Sequence, residues 1–194
     1  MATQPNVQPG AGERPMRADA RRNRERILDA ARLACAEHGA SVQMDDVARL
    51  AGVGVGTVYR HFATKEALIE ELVAEKFRTF AEHAREALEI DDPWESFAGL
   101  LRRNAEVMAR DAALRHALVS AGAVAGYTGE HRVELDRLGA QIIARAQAAG
   151  VLRDDISLQD IPMLMSGLCA SMSHPQAEWR RHLELLLDGL RARP

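Results

Sequence analysis

Thr57, Tyr59, Arg60 and His61 stand in one short run directly behind two glycines, Gly54 and Gly56, with Lys65 a few residues on. That set of side chains suits a nucleic-acid duplex. Hydroxyls and an imidazole bond phosphate oxygens, and an arginine fork pairs with O6 and N7 of guanine. The glycines let a backbone come close to a duplex. Val55 offers methyl groups to a thymine methyl, and Lys65, at the start of the next apolar repeat, reaches one further phosphate.

Such side chains need a rigid mount, and residues 44–62, MDDVARLAGVGVGTVYRHF, supply one. Asp45 and Asp46 favour the positive end of a helix whose one face carries Met44, Val47, Ala48 and Ala51 and which stops at Gly52. After the turn, a second short helix turns Val58 and Phe62 inward. A small residue at the crossing (Ala48), a glycine turn and apolar anchors at Val53 and Val58 give the spacing of a helix-turn-helix. Gly56, Thr57, Tyr59, Arg60 and His61 then fall on the outer arc. Upstream, Ile27, Leu28, Ala31, Ala34 and Cys35 stripe one face of a helix that is predicted to close at Gly39.

The run AGVGVGTVYRHFATKEALIEEL is similar to the signature of tetracycline-repressor (TetR/AcrR) family regulators, in which a Gly/Thr/Tyr-x-His-Phe recognition helix precedes a Lys-Glu helix start. The preceding RRNRERILDAARLACAEHGASVQMDDVARLAG resembles the first two helices of that family. The resemblance covers residues 21–72 specifically; beyond it the helical plan, the length and the closing EWRRHLELLLDGLRAR agree. Two positions depart from the pattern: Val55 stands where the family is often polar or basic, and Gly54 where it often has serine. The resemblance implies a DNA-binding domain that reads a palindromic operator, and a second domain that dimerises and senses a small apolar or amphipathic molecule.

Charge is distributed accordingly. The 194-residue chain has a net charge of −3, yet residues 14–65 hold ten Arg/Lys against six Asp/Glu while residues 66–194 hold fifteen against twenty-one. A basic first third on an acidic remainder fits a polyanion-binding module joined to a larger body. Residues 1–16, with three prolines and two glycines, read as a disordered arm. The basic residues near that arm, Arg14, Arg17, Arg21 and Arg22, are expected to add phosphate or minor-groove contacts. With 47% hydrophobic and 27% charged residues the chain is globular in composition. No apolar run reaches a membrane span and no signal segment opens the chain, so the expected place is the cytoplasm, with no membrane partner. Cys35 and Cys169 lie in no metal-ligand or disulfide spacing and read as buried thiols.

Enzyme signatures are missing from the sequence. No Gly-Lys-Ser/Thr follows the Gly52-x-Gly54-x-Gly56 run, as a phosphate loop requires. No glutamate has a histidine three residues on, and neither His-Glu-x-x-His nor Gly-x-Ser-x-Gly occurs. The expectation is a non-enzyme with no cofactor and no metal.

The rest of the chain is helical in pattern. A long stripe from Leu68 to Ala84 predicts a helix over 65–88, and Asp92-Pro93 opens another as N-cap and first helical residue. Further helices are expected near 112–122, 129–149, 158–172 and 176–192. The last boundary but one is in tension, because Ser157 to Asp160 reads as a capping box while Pro162 sits inside the helix it opens. The fold class is all-α, about nine helices: an arm at 1–16, a three-helix DNA-binding domain at 17–64, and a larger ligand-binding and dimerisation domain at 65–194.

In that body Phe97, Leu101, Met108, Leu118, Ile142 and Met165 are the expected walls of a ligand cavity, with Asn104, His116 and Tyr127 as polar handles. Residues 161–172 are apolar on nearly every side and need cover on every side. Leu164, Gly167, Leu168 and Met172 there, with Trp179, Leu183, Leu186, Leu187 and Leu190 of the final helix, are the expected homodimer interface about a two-fold axis. The reading is a sequence-specific transcriptional regulator, a repressor released from its operator by a small ligand. The competing reading is a helical small-molecule-binding protein or enzyme in which residues 44–62 only pack.

Overall fold

The computed structural model describes residues 13–38, 41–111, 129–172, 174 and 178–192. Eight helices run through them: α1 (Glu13–His38), α2 (Met44–Ala51), α3 (Val55–His61), α4 (Lys65–Leu88), α5 (Pro93–Arg110), α6 (Glu130–Ala148), α7 (Asp160–Met172) and α8 (Trp179–Leu190). The helix expected near 112–122, the Gly39 cap, and candidates His116, Leu118 and Tyr127 lie outside the described residues. No described helix is long and apolar enough to cross a membrane.

Helix ends follow local chemistry. Asp92 caps α5 by accepting from the backbone N–H of Trp94 at 2.8 Å and of Glu95 at 3.0 Å, with Pro93 as first helical residue. Thr64 caps α4, its Oγ1 accepting from Ala67 N at 3.1 Å. Gly52 and Gly150 close α2 and α6 in the left-handed region at φ 63° and 68°. At Gly150 the bonds Val151 N to Ala146 O and Gly150 N to Gln147 O satisfy the last carbonyls in the pattern such a glycine permits.

Two helix starts differ from the sequence expectation. α1 begins at Glu13, inside the stretch read as a disordered arm; Pro15 falls in its first turn, where the missing N–H breaks no helical bond. α7 begins at Asp160 rather than 158, which puts Pro162 in the first turn and removes the conflict. The Asp160 carboxylate accepts from both the backbone N–H and the hydroxyl of Ser157 at 2.7 Å, which holds its pKa below the usual carboxylate value.

Two apolar clusters organise these helices. The first joins Ile27, Ala31 and Ala34 of α1, Met44, Val47, Ala48 and Ala51 of α2, Val58 of α3, Phe62, and Leu68 of α4. The second gathers Phe80, Ala84 and Ala87 of α4 with the inner faces of α5 to α8. α4 therefore belongs to both, and the boundary drawn at residue 64 falls at the start of a shared helix. α6 packs along α4, and α5 lies against α4, α6 and α7. An antiparallel bridge between Leu152 and Arg191 pins the chain's end to the turn after α6.

Candidate nucleic-acid interface

α3 has seven residues and buries only Val58; Phe62, which ends it, is also buried. At about 100° per residue, Gly56 and Arg60 centre on the side opposite Val58, with Thr57 and Tyr59 flanking them and His61 turned back towards Val58. The surface agrees with this register: Tyr59 is 50% exposed, Arg60 and Gly56 are exposed, and Thr57 and His61 are half-buried. Val53 and Val55 are half-buried and lean on the core, so Val55 is an anchor as well as a candidate contact.

A glycine inside a helix costs about 0.8–1 kcal/mol relative to alanine. The fold gives no steric reason for one at Gly56, because a Cβ built there would meet nothing within 4 Å; Gly54 is the N-cap, a position glycine commonly fills. What Gly56 leaves is bare, exposed backbone one turn from Arg60, open to a close neighbour from outside. Lys65 is half-buried in the first turn of α4.

α1 holds this unit from behind. Arg26 donates to the carbonyl of Ala51 at 2.5 Å, beside the turn that opens α3. Arg24 lies with its guanidinium 5.0 Å from the Phe62 ring centroid and donates to Glu71 of α4 at 2.9 Å. Arg32 is paired with Asp29 on its own helix and with Glu75 of α4. The first three helices are thus tied to α4 by two ion pairs as well as by Leu68. Neither clasp was anticipated, since Arg24 and Arg26 read in sequence only as polar positions between apolar ones.

The body candidates fall into two groups. Phe97, Leu101, Met108, Ile142 and Met165 belong to one packed cluster, with Asn104 buried beside them. Asn104 is satisfied by His83, whose Nδ1 lies 2.8 Å from its Oδ1. Twenty-one residues separate the pair, so spacing along the chain gave no hint of it. Cys169 is buried with Sγ 3.2 Å from the sulfur of Met108, whereas Cys35, expected to be buried, is only half-buried. Burial still pushes the Cys35 thiol pKa up, against the attraction of Lys65.

The expected dimer contacts divide more sharply. Leu168, Leu183, Leu187 and Leu190 lie in the subunit's own core, with Leu168 at 0% and Leu187 at 1% exposure. They are not available to a partner, because α7 and α8 turn those positions towards α5 and each other. Leu164, Met172, Trp179 and Leu186 are partly buried against the same core, and Gly167 is exposed. Among the described residues of α7 and α8, the large apolar side chains left outside are Met163, 69% exposed, and Leu185, 58% exposed. The helical register was enough to find Leu185, which lies off the 183–187–190 stripe.

Comparisons with known proteins fit this geometry. Residues 27–72 match the family model described as "Bacterial regulatory proteins, tetR family", and residues 92–192 match "Transcriptional regulator SbtR-like, C-terminal domain". The HTH-type transcriptional repressor KstR of Mycolicibacterium smegmatis is 33% identical over 139 residues, 70% of this chain and 68% of that protein. The TetR transcriptional regulator SCO0520 of Streptomyces coelicolor is 31% identical over 88% of this chain and 99% of its own, with a TM-score of 0.58. A TetR regulatory protein of Mycobacterium vanbaalenii is 34% identical over 92% and 100%, with a TM-score of 0.53.

Proposed function

This chain belongs to the TetR family of bacterial transcriptional regulators, and from that premise we propose that it represses transcription by holding a palindromic operator with the outer face of α3, until a small apolar or amphipathic ligand enters the body. The observation that carries the reading is the bare backbone at Gly56 beside exposed Tyr59 and Arg60. In this reading Arg60 and Tyr59 face base edges in the major groove. Thr57, His61 and Lys65 fix the register on phosphates, Gly56 admits the duplex, and Val55 meets a methyl group where its packing leaves it open.

Two α3 helices are needed to read a palindrome, so the working unit is a homodimer. Met163 of α7 and Leu185 of α8, with Gly167 between helical neighbours that permit close approach, are the apolar surface we assign to that contact. α4 is the mechanical link to the ligand, because its first turns belong to the DNA-facing cluster and its later turns to the body. A ligand lodging among Phe97, Leu101, Met108, Ile142 and Met165 meets one polar group, Asn104, and shifts the reading heads only if it favours one tilt of α4 over the other. Coupling of this kind is typically about 1–3 kcal/mol. Selection of bound fragments from genomic DNA by the purified protein, followed by footprinting, tests the reading. Two protected half-sites about one or more helical turns apart are expected; retention of fragments without a shared sequence would overturn it.

A further inference from the structure

We propose that the amino-terminal half of α1 is a second DNA-binding element, a rigid arginine rail that lies along the phosphates flanking each half-site; the inference rests on the DNA-binding reading above. α1 starts at Glu13, yet Ile27 is its first buried residue among those whose side chains are described. About 20 Å of helix therefore precedes the core at 1.5 Å per residue. Residues 19–22 are exposed, with side-chain exposures of 77% at Arg21 and 62% at Arg22.

The register of this helix puts positions 14, 17, 21 and 24 within an arc of about 80°. All four are arginine. The last of them, Arg24, is the residue stacked on Phe62 at the end of α3, while Arg26 grips the turn at its start. The stripe is thus continuous with the mount of the recognition helix and runs on past it. Its charge is distinctive: residues 13–26 hold six arginines against Glu13, Asp19 and Glu25, in a chain that is otherwise net acidic.

A duplex flank is the partner that fits. From Arg24 to Arg14 the helix rises about 15 Å, alongside about four phosphates of one strand at 3.4 Å per step. The planar guanidinium forks are suited to phosphate oxygens. Over residues 19–26 this helix extension buries no side chain. It is held helical by continuation from a nucleated α1 and presents its arginines without the ordering cost of a flexible arm.

The experiment compares wild-type protein with the Arg17→Gln, Arg21→Gln double variant by fluorescence anisotropy across a salt series. Each is measured on the selected operator and on the same operator trimmed to its base-specific core. On the full operator the dimeric variant lacks four arginines, so it should lose up to about four-thousandfold in affinity at about 0.1 M salt, with a log–log salt slope shallower by about 3.6. On the trimmed operator the two proteins should bind alike. Equal affinity and slope of variant and wild type on the full operator would overturn the rail while leaving the α3 reading intact. A loss that persists on the trimmed operator overturns the flanking placement. Failure of the wild type to bind any duplex would instead remove the DNA-binding reading itself, and the rail with it. Circular dichroism melts of the two proteins should coincide, since both positions precede the core.

Discussion

The guanidinium of Arg26 lies 2.5 Å from the carbonyl oxygen of Ala51, and so α1 grips the last turn of α2 at the point where the chain reverses into α3. Gly52 follows at φ 63°, with a Cβ position only 3.3 Å from Arg26 Nη2. Gly52→Ala should therefore destabilise the protein by about 1–2 kcal/mol, the cost of a side chain in the left-handed region. Urea unfolding measures it. A change below a few tenths of a kcal/mol would mean that the turn relaxes freely and that α1 does not fix it.

The link from α1 to α4 should weaken in acid. The Arg24 hydrogen bond holds the Glu71 pKa below the usual glutamate value, with further help from the charges of Arg24 and Arg78 against a cost of burial. A carboxylate with a depressed folded pKa stabilises fully above its unfolded value, about 4.3, and loses that contribution as pH falls through the folded one. Both side chains are about two-fifths exposed, so solvent screening keeps the pair to about 0.2–1 kcal/mol. Glu71→Gln should cost that much at neutral pH and nothing near pH 2. An equal cost at both pH values would place the effect in packing against Leu68 and Leu72 rather than in charge.

How much of this was legible in the sequence follows from which interactions are local. Helix identity, the Asp92-Pro93 start and the glycine closures at 52 and 150 depend on neighbours within a turn, and the sequence carried them. The outward arc of α3 was readable for the same reason, because seven residues and one period place Arg60 opposite Val58. Pairings across the fold were not: His83 with Asn104, Arg24 with Glu71, and Arg26 with Ala51 join residues 21 to 47 positions apart. The buried positions among the expected dimer residues meet a different limit. Leu168 and Leu187 are apolar in either role, and only the packing of α7 and α8 against α5 shows that the subunit itself uses them.

Arg60 and Lys65 should separate by kind of effect. If Arg60 reads a base edge, Arg60→Ala should cost about 1–3 kcal/mol per half-site on the selected operator and relax preference at one position of each half-site, while Lys65→Ala should weaken all sequences alike and lower the salt slope of the dimer by about 2. Binding to a library of single-base operator variants makes the distinction. A flat loss across the library for Arg60→Ala would assign that residue to the backbone and leave Tyr59 as the base reader.

Oligomeric state offers the sharpest test of the body. Met163 and Leu185 are apolar and mostly exposed in the subunit, whereas Leu168 and Leu187 fill its interior. Met163→Glu with Leu185→Glu places two carboxylates in any interface built on these faces while leaving the core untouched. Sedimentation equilibrium should then change from a dimer to a 21.3 kDa particle, with little change in the unfolding of the subunit itself. Leu168→Ala or Leu187→Ala should do the reverse, removing about 2–5 kcal/mol of stability through a core cavity without selectively splitting the dimer. If the two glutamates leave the dimer intact, its contact lies elsewhere on the body. If Leu168→Ala instead yields stable monomers, α7 has a different face turned outward from the one described.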